Sequence, residues 1–184
     1  MLAGTPWHRL RTNDAIWCLR TNGVCAKAPA LRYFSLISRL GDGAFWYALI
    51  AAFCLLGGRE GRFAALHLAT IGLVSLLLYK SLKRWTRRPR PFASDVRIRA
   101  WIAPLDEFSF PSGHTLHAVG FTIVALAYLP ALGWLLVPFT LSVAASRVVL
   151  GLHYPSDVAA ATGIGGGLAF GSLWLRDAML TSIA

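Results

Sequence analysis

FAALHLATIGLVSLLLYKSL, residues 63–82, runs directly into KRWTRRPRP at residues 83–91. The first stretch has about the 20 apolar residues that a helix needs to cross a bilayer. The second abruptly supplies five Arg or Lys side chains. Inside lipid only a helix satisfies its own backbone groups within one segment, so residues 63–82 read as a membrane-spanning helix that ends in a basic cluster.

Working outward, four further apolar segments follow the same logic. One covers about 41–58, has Asp42 near its start, and stops at Gly57-Gly58-Arg59-Glu60. The others cover about 114–130, 131–150 and 156–175, the last stopping at Arg176-Asp177. The last segment carries Gly163, Gly165, Gly166, Gly167 and Gly171, residues that allow close helix–helix approach. Upstream, Leu31, Phe34 and Ile37 share one helical face. That pattern suits an amphipathic helix lying on the membrane or one packed on the bundle, and spacing alone does not separate the two. The expected fold is an all-α, polytopic membrane helix bundle with about five transmembrane helices plus an N-terminal amphipathic helix. The expected division is a basic N-terminal segment, 1–39, and a membrane domain, 40–184.

Composition agrees. Of 184 residues, 56% are hydrophobic and 14% charged, and mean hydropathy is +0.56; soluble domains carry about 25% charged residues. The formal net charge is +10. In a membrane chain this points to the positive-inside bias, anionic headgroups or a phosphorylated substrate, and no nucleic acid partner is expected. Cys18, Cys25 and Cys54 lack the spacing of a zinc or redox site. Arg9, Arg11, Asp14 and Arg20 interrupt any signal-peptide core.

Counting spans places three polar groupings on one membrane face. They are Lys83 to Pro91, Pro111-Ser112-Gly113-His114, and Ser146-Arg147 through His153 to Asp157. Singly, each has a plain structural account: a topogenic cluster, a helix cap, a packed His–Asp pair. Together they suit an anion. Arg90 and Arg147 offer planar forks, Lys83 a point charge, and a helix beginning at Ser112-Gly113 offers free N–H groups. His153 and Asp157, four residues apart, suit an imidazole whose tautomer a carboxylate fixes. His117 and His67 read as packing residues, Asp106 and Glu107 as surface loop charges. The remaining basic residues of the 83–113 connection, Arg88 among them, read as topogenic or headgroup-binding.

The three groupings fit K-x6-R-P, P-S-G-H and S-R-x5-H-x3-D, complete and in order. On these motifs the chain resembles the type 2 phosphatidic acid phosphatase family, relatives of the vanadium haloperoxidases, over about residues 40–175. The resemblance implies a membrane lipid phosphatase with catalytic His153, His114 and Asp157. His153 would attack phosphorus, Asp157 would orient it, and His114 would protonate the leaving oxygen and later activate water. Lys83, Arg90, Ser112, Gly113 and Arg147 would hold the phosphoryl oxygens, with no metal or other cofactor. The implied substrates are phosphatidic acid, phosphatidylglycerophosphate or a polyprenyl diphosphate, in a bacterial inner membrane. A haloperoxidase-like oxidoreductase and a non-catalytic lipid-phosphate binder are the alternatives, and the motifs leave oligomeric state open. Many such proteins have six spans and an active site outside the cytoplasm. Here all but Arg59, Arg62 and Arg176 of the 18 basic residues lie on the motif side, which by charge alone faces the cytoplasm.

Overall fold

The computed structural model describes residues 6–182; residues 1–5 and 183–184, the outer ends of the two expected segments, lie outside them. The described residues form eight α-helices. They are α1 (Pro6–Asn22), α2 (Ala28–Arg39), α3 (Phe45–Leu56), α4 (Gly58–Thr86), α5 (Pro91–Ser94), α6 (Gly113–Tyr128), α7 (Gly133–Val149) and α8 (Pro155–Thr181). Four helical stretches are long and apolar enough to cross a membrane: Ala28–Leu56, Gly58–Ser94, Pro130–Val149 and Pro155–Thr181. Leu55, Leu56, Trp134, Tyr47 and Trp174 are among the large apolar side chains standing exposed on the outside. An aqueous surface would not tolerate so much apolar area, whereas lipid does. The chain is a multi-pass membrane helix bundle.

The expected third span is shorter than the rest. α6 has 16 residues, about 24 Å at 1.5 Å per residue, against a hydrocarbon core of about 30 Å. It lies at the centre of the bundle, packed against α4, α7 and α8. Leu116, Ala118, Val124 and Ala125 on it are fully buried. A helix enclosed by its neighbours does not have to match the bilayer on its own.

The first span starts earlier than its apolar run suggests. α2 runs on into α3 across a kink at Leu40–Ala44, where Gly43 is non-helical, as one apolar stretch of 29 residues. Of the two arrangements left open by the spacing, α2 has the bundle-packed one. Leu31 and Phe34 pack beside Val149, Leu150 and Leu152, Ile37 joins the main core, and Tyr33 Oη lies 2.8 Å from Ser142 Oγ. The apolar face covers α7 instead of lipid tails.

α1 holds the loops at the motif end. Asn22 Nδ2 donates to the carbonyls of Arg99 (2.9 Å) and Val149 (3.1 Å), and its Oδ1 accepts from Arg99 N–H (2.9 Å). One side chain thus ties the 95–112 connection to the end of α7. Gly151, at φ +76°, passes so close beneath that a Cβ would lie 2.4 Å from Arg99 O.

Among the α8 glycines, Gly165 makes the close approach. A Cβ there would lie 2.6 Å from Leu116 O on α6, whereas Gly163, Gly167 and Gly171 have nothing within 4 Å. Gly165→Ala must push α6 and α8 apart, an overpacking cost of about 1–3 kcal/mol. In a detergent melt this variant loses Tm, while Gly167→Ala stays within about 0.5 kcal/mol of the parent.

Candidate active site

The last turn of α4, the Arg87–Arg90 stretch, the start of α6, the end of α7 and the turn before α8 all open on one cavity of about 610 Å³. Lys83, Arg90, Gly113, His114, Arg147 and His153 line it. The structure therefore brings together six of the eight residues singled out from the sequence. Ser112 and Asp157 stand behind the wall, both fully buried. Ser112 is the N-cap of α6: its Oγ accepts from Thr115 N–H at 3.4 Å and lies 2.9 Å from Thr115 Oγ1. Capping satisfies one of the free N–H groups of the first turn.

His153 is 1% exposed. Its Nδ1 lies 2.6 Å from the carbonyl oxygen of Ser109. A carbonyl only accepts, so Nδ1 carries the proton and Nε2 presents its lone pair, with Arg90 Nη1 at 3.4 Å. Burial, followed by Arg147, Arg90, Lys83 and His114, holds the imidazole well below its ordinary pKa. The ring is neutral at physiological pH, with an unprotonated nitrogen among cations.

The carboxylate of Asp157 is 3.7 Å from His153 Nδ1, beyond hydrogen-bond length. Its Oδ2 accepts the Tyr154 N–H at 2.9 Å, fixing the turn that carries His153, and its Oδ1 accepts from Arg88 Nη1 at 2.6 Å. Arg88 Nη2 in turn donates to Asp14 Oδ2 at 2.8 Å, and its guanidinium lies over the Tyr154 ring. Sequence reasoning gave the tautomer to Asp157. In the structure the Ser109 carbonyl takes that proton, and an Asp14–Arg88–Asp157 chain stands behind it. A backbone carbonyl leaves no mark in a residue pattern, and Arg88 is hidden among the unspecified positions of K-x6-R-P.

The three cations differ in their partners. Lys83 Nζ donates to Asp106 Oδ1 (2.6 Å) and Oδ2 (2.8 Å) and to Phe108 O (2.9 Å). Arg90 Nη2 donates to Asp106 Oδ1 at 2.7 Å and Nη1 to Leu152 O at 2.7 Å. Asp106 is thus no solvated loop charge. Partial burial pushes its carboxyl up, but Lys83 and Arg90 outweigh burial and hold it below the ordinary carboxylate range. Arg147, 2% exposed, donates through Nη1 to Ser38 Oγ. Among the described residues it has no carboxylate within ion-pair distance, and its Nε has no hydrogen-bond partner. A buried guanidinium without a counter-ion is costly and is relieved by any anion that enters the cavity.

His114 Nε2 meets the carboxylate of Asp42, which projects from the kink between α2 and α3. His117 sets its ring nitrogens against the carbonyls of Gly113 (3.0 Å) and Gly72 (3.1 Å), clamping α6 to α4. His67 lies between Tyr128 Oη (3.1 Å) and Ser172 Oγ (2.9 Å), away from this cavity. His67 has the packing role expected of it, whereas His117, one turn after His114, packs between α4 and α6 and also lines the cavity. Away from the cations the cavity wall is apolar, formed by Trp46, Ile50, Leu73, Leu76 and Phe121 of α3, α4 and α6.

The sequence profile described as PAP2 superfamily matches residues 64–179, more than half of the chain. The chain belongs to the PAP2 superfamily. Two curated relatives are the undecaprenyl-diphosphatase BcrC of Bacillus subtilis and the decaprenylphosphoryl-5-phosphoribose phosphatase of Mycolicibacterium smegmatis. The first is 34% identical over 113 residues, 61% of this chain and 58% of that protein. The second is 32% identical over 141 residues, 74% of this chain and 70% of that protein. The chain thus spans little more than half the length of the first relative. The same PAP2 fold occurs in the crystal structure of a transmembrane PAP2-type phosphatidylglycerolphosphate phosphatase from Bacillus subtilis. That structure has a TM-score of 0.78 and 23% identity, with 95% of this chain and 89% of that chain covered. Aquifex aeolicus LpxE follows with a TM-score of 0.72 and 22% identity, covering 85% and 92%.

Proposed function

We propose that this chain is a membrane-embedded, metal-independent phosphatase that hydrolyses a lipid phosphomonoester or diphosphate through a phosphohistidine. The observation that carries the reading is the cavity itself: an apolar wall formed by α3, α4 and α6 leads to a neutral imidazole and a buried guanidinium that has no carboxylate partner among the described residues. Such a cavity fits an amphiphile with a phosphate at one end. The polyprenyl diphosphate in the name of one relative favours a polyprenyl diphosphate, with phosphatidic acid and phosphatidylglycerophosphate as the other candidates. The proposed setting is a bacterial inner membrane.

In this reading the substrate phosphate displaces Asp106 from Lys83 and Arg90 and takes the free donors of Arg147 and the Gly113 N–H at the start of α6. His153 Nε2 attacks phosphorus while His114 protonates the departing oxygen. Water, deprotonated by His114, then releases phosphate from His153. Asp157 holds the turn bearing His153 and, with the Ser109 carbonyl, stabilises the charge that builds on the ring. Phosphoryl transfer is mostly positioning and charge stabilisation, which three fixed cations supply.

The test is phosphate release from those three lipids in detergent, with and without EDTA. The expected result is turnover of at least one lipid at a rate EDTA leaves unchanged. Loss of activity in EDTA with recovery on Mg²⁺ contradicts the metal-independent mechanism.

A further inference from the structure

A kink at Leu40–Ala44, where Gly43 leaves the helical region at φ +141°, interrupts a rod that would otherwise run unbroken from α2 to α3. The side chain that this kink aims inward is that of Asp42. It is flanked by two glycines that allow the backbone to come close. A Cβ at Gly41 would lie 3.1 Å from Val143 Cγ2 and 3.7 Å from His114 Cδ2, and one at Gly43, where φ is +141°, would lie 2.8 Å from the Tyr47 ring. The turn delivers the Asp42 carboxylate onto His114 Nε2 at the edge of the cavity, 72 residues away along the chain. Asp42 is outside the three motifs, and its side chain, 34% exposed, has no cation as its ion-pair partner among the described residues.

We infer that Asp42 is a positioning residue for His114, holding its ring in the orientation needed to donate a proton to the leaving oxygen. A carboxylate on one ring nitrogen fixes the direction in which the other nitrogen points, which is what a general acid needs. As the His153–phosphorus bond forms and the ester P–O bond breaks, the His114 proton passes to the departing oxygen. Neutral His114 then takes a proton from the water whose oxygen attacks phosphorus, freeing phosphate and His153. The inference rests on the phosphatase reading above and extends it to a residue contributed by the first span.

A general acid matters most when the leaving group is basic. Dodecyl phosphate and 4-dodecylphenyl phosphate have similar tails, but one releases an alkoxide and the other a phenolate, whose conjugate acid has a pKa of about 10. kcat/KM for each, measured in detergent on the full chain, reports the step in which that group leaves. For Asp42→Asn the expected loss is about 100-fold on the alkyl ester and under about 3-fold on the aryl ester, the range for one assisted proton transfer. Asp42→Ala reproduces the split, which guards against a peculiarity of the amide. Equal losses on both esters, or no loss on either, overturn the inference while leaving the phosphatase reading intact. A parent protein that releases phosphate from neither ester, nor from the three lipids above, brings down the reading and the inference together.

Discussion

Purified His153→Ala releases no phosphate from a lipid substrate that the parent protein turns over, a loss of at least about 10³-fold and as much as 10⁶-fold, the range for removing a nucleophile. The geometry makes this side chain hard to replace. Nε2 of His153 is an unprotonated nitrogen that borders the cavity, because Ser109 O takes the Nδ1 proton and burial among cations disfavours the imidazolium. Of the other cavity imidazoles, His114 is engaged with Asp42 on a different element and His117 with the carbonyls of Gly113 and Gly72. Alanine removes the nucleophile and leaves the cations in place. The variant should still bind inorganic phosphate or vanadate, and binding without turnover separates a lost nucleophile from a lost fold.

Arg147→Met carries the second largest effect, with opposite signs in activity and stability. The guanidinium is buried, has no carboxylate partner among the described residues and leaves Nε unpaired. If its role is to meet charge developing on the phosphoryl group, losing it costs about 10²–10³-fold in kcat. Removing an uncompensated buried charge and filling the space with an apolar chain is neutral or stabilising. The expected result is a collapse in turnover with a Tm unchanged or raised. A Tm that falls in step with activity would make Arg147 a structural tie to Ser38 on α2 instead.

Much of the site was legible because phosphate chemistry demands particular side chains, and those side chains stand at fixed intervals in polar segments. Lys83, Arg90, His114, Arg147 and His153 could be named, and counting spans was enough to bring them to one face. Periodicity also found the helices but not their partners. The Leu31–Phe34–Ile37 face looks the same whether it meets lipid or α7. Nor does a run of glycines say that Gly165 is the one touching α6.

What escaped are groups whose meaning arises only when the backbone folds. Asp42, Asp106 and Asp14 look like ordinary carboxylates near span ends or in loops, yet each meets a charged or ionisable side chain at the site: His114, Lys83 with Arg90, and Arg88. Lys83, Arg90 and Arg147 drew attention because cations were expected, and these acids around the site did not. The Ser109 carbonyl is invisible to any residue pattern, although it decides which nitrogen of His153 is free.

The covalent intermediate tests the central claim most directly. Parent protein mixed with ³²P-labelled lipid phosphate is quenched within milliseconds in alkali, where phosphohistidine survives, then digested and sequenced by mass spectrometry. The account predicts phosphate on His153, lost on acidification and missing from His153→Ala. Label on another residue, or full turnover with no labelled protein at any quench time, would contradict it.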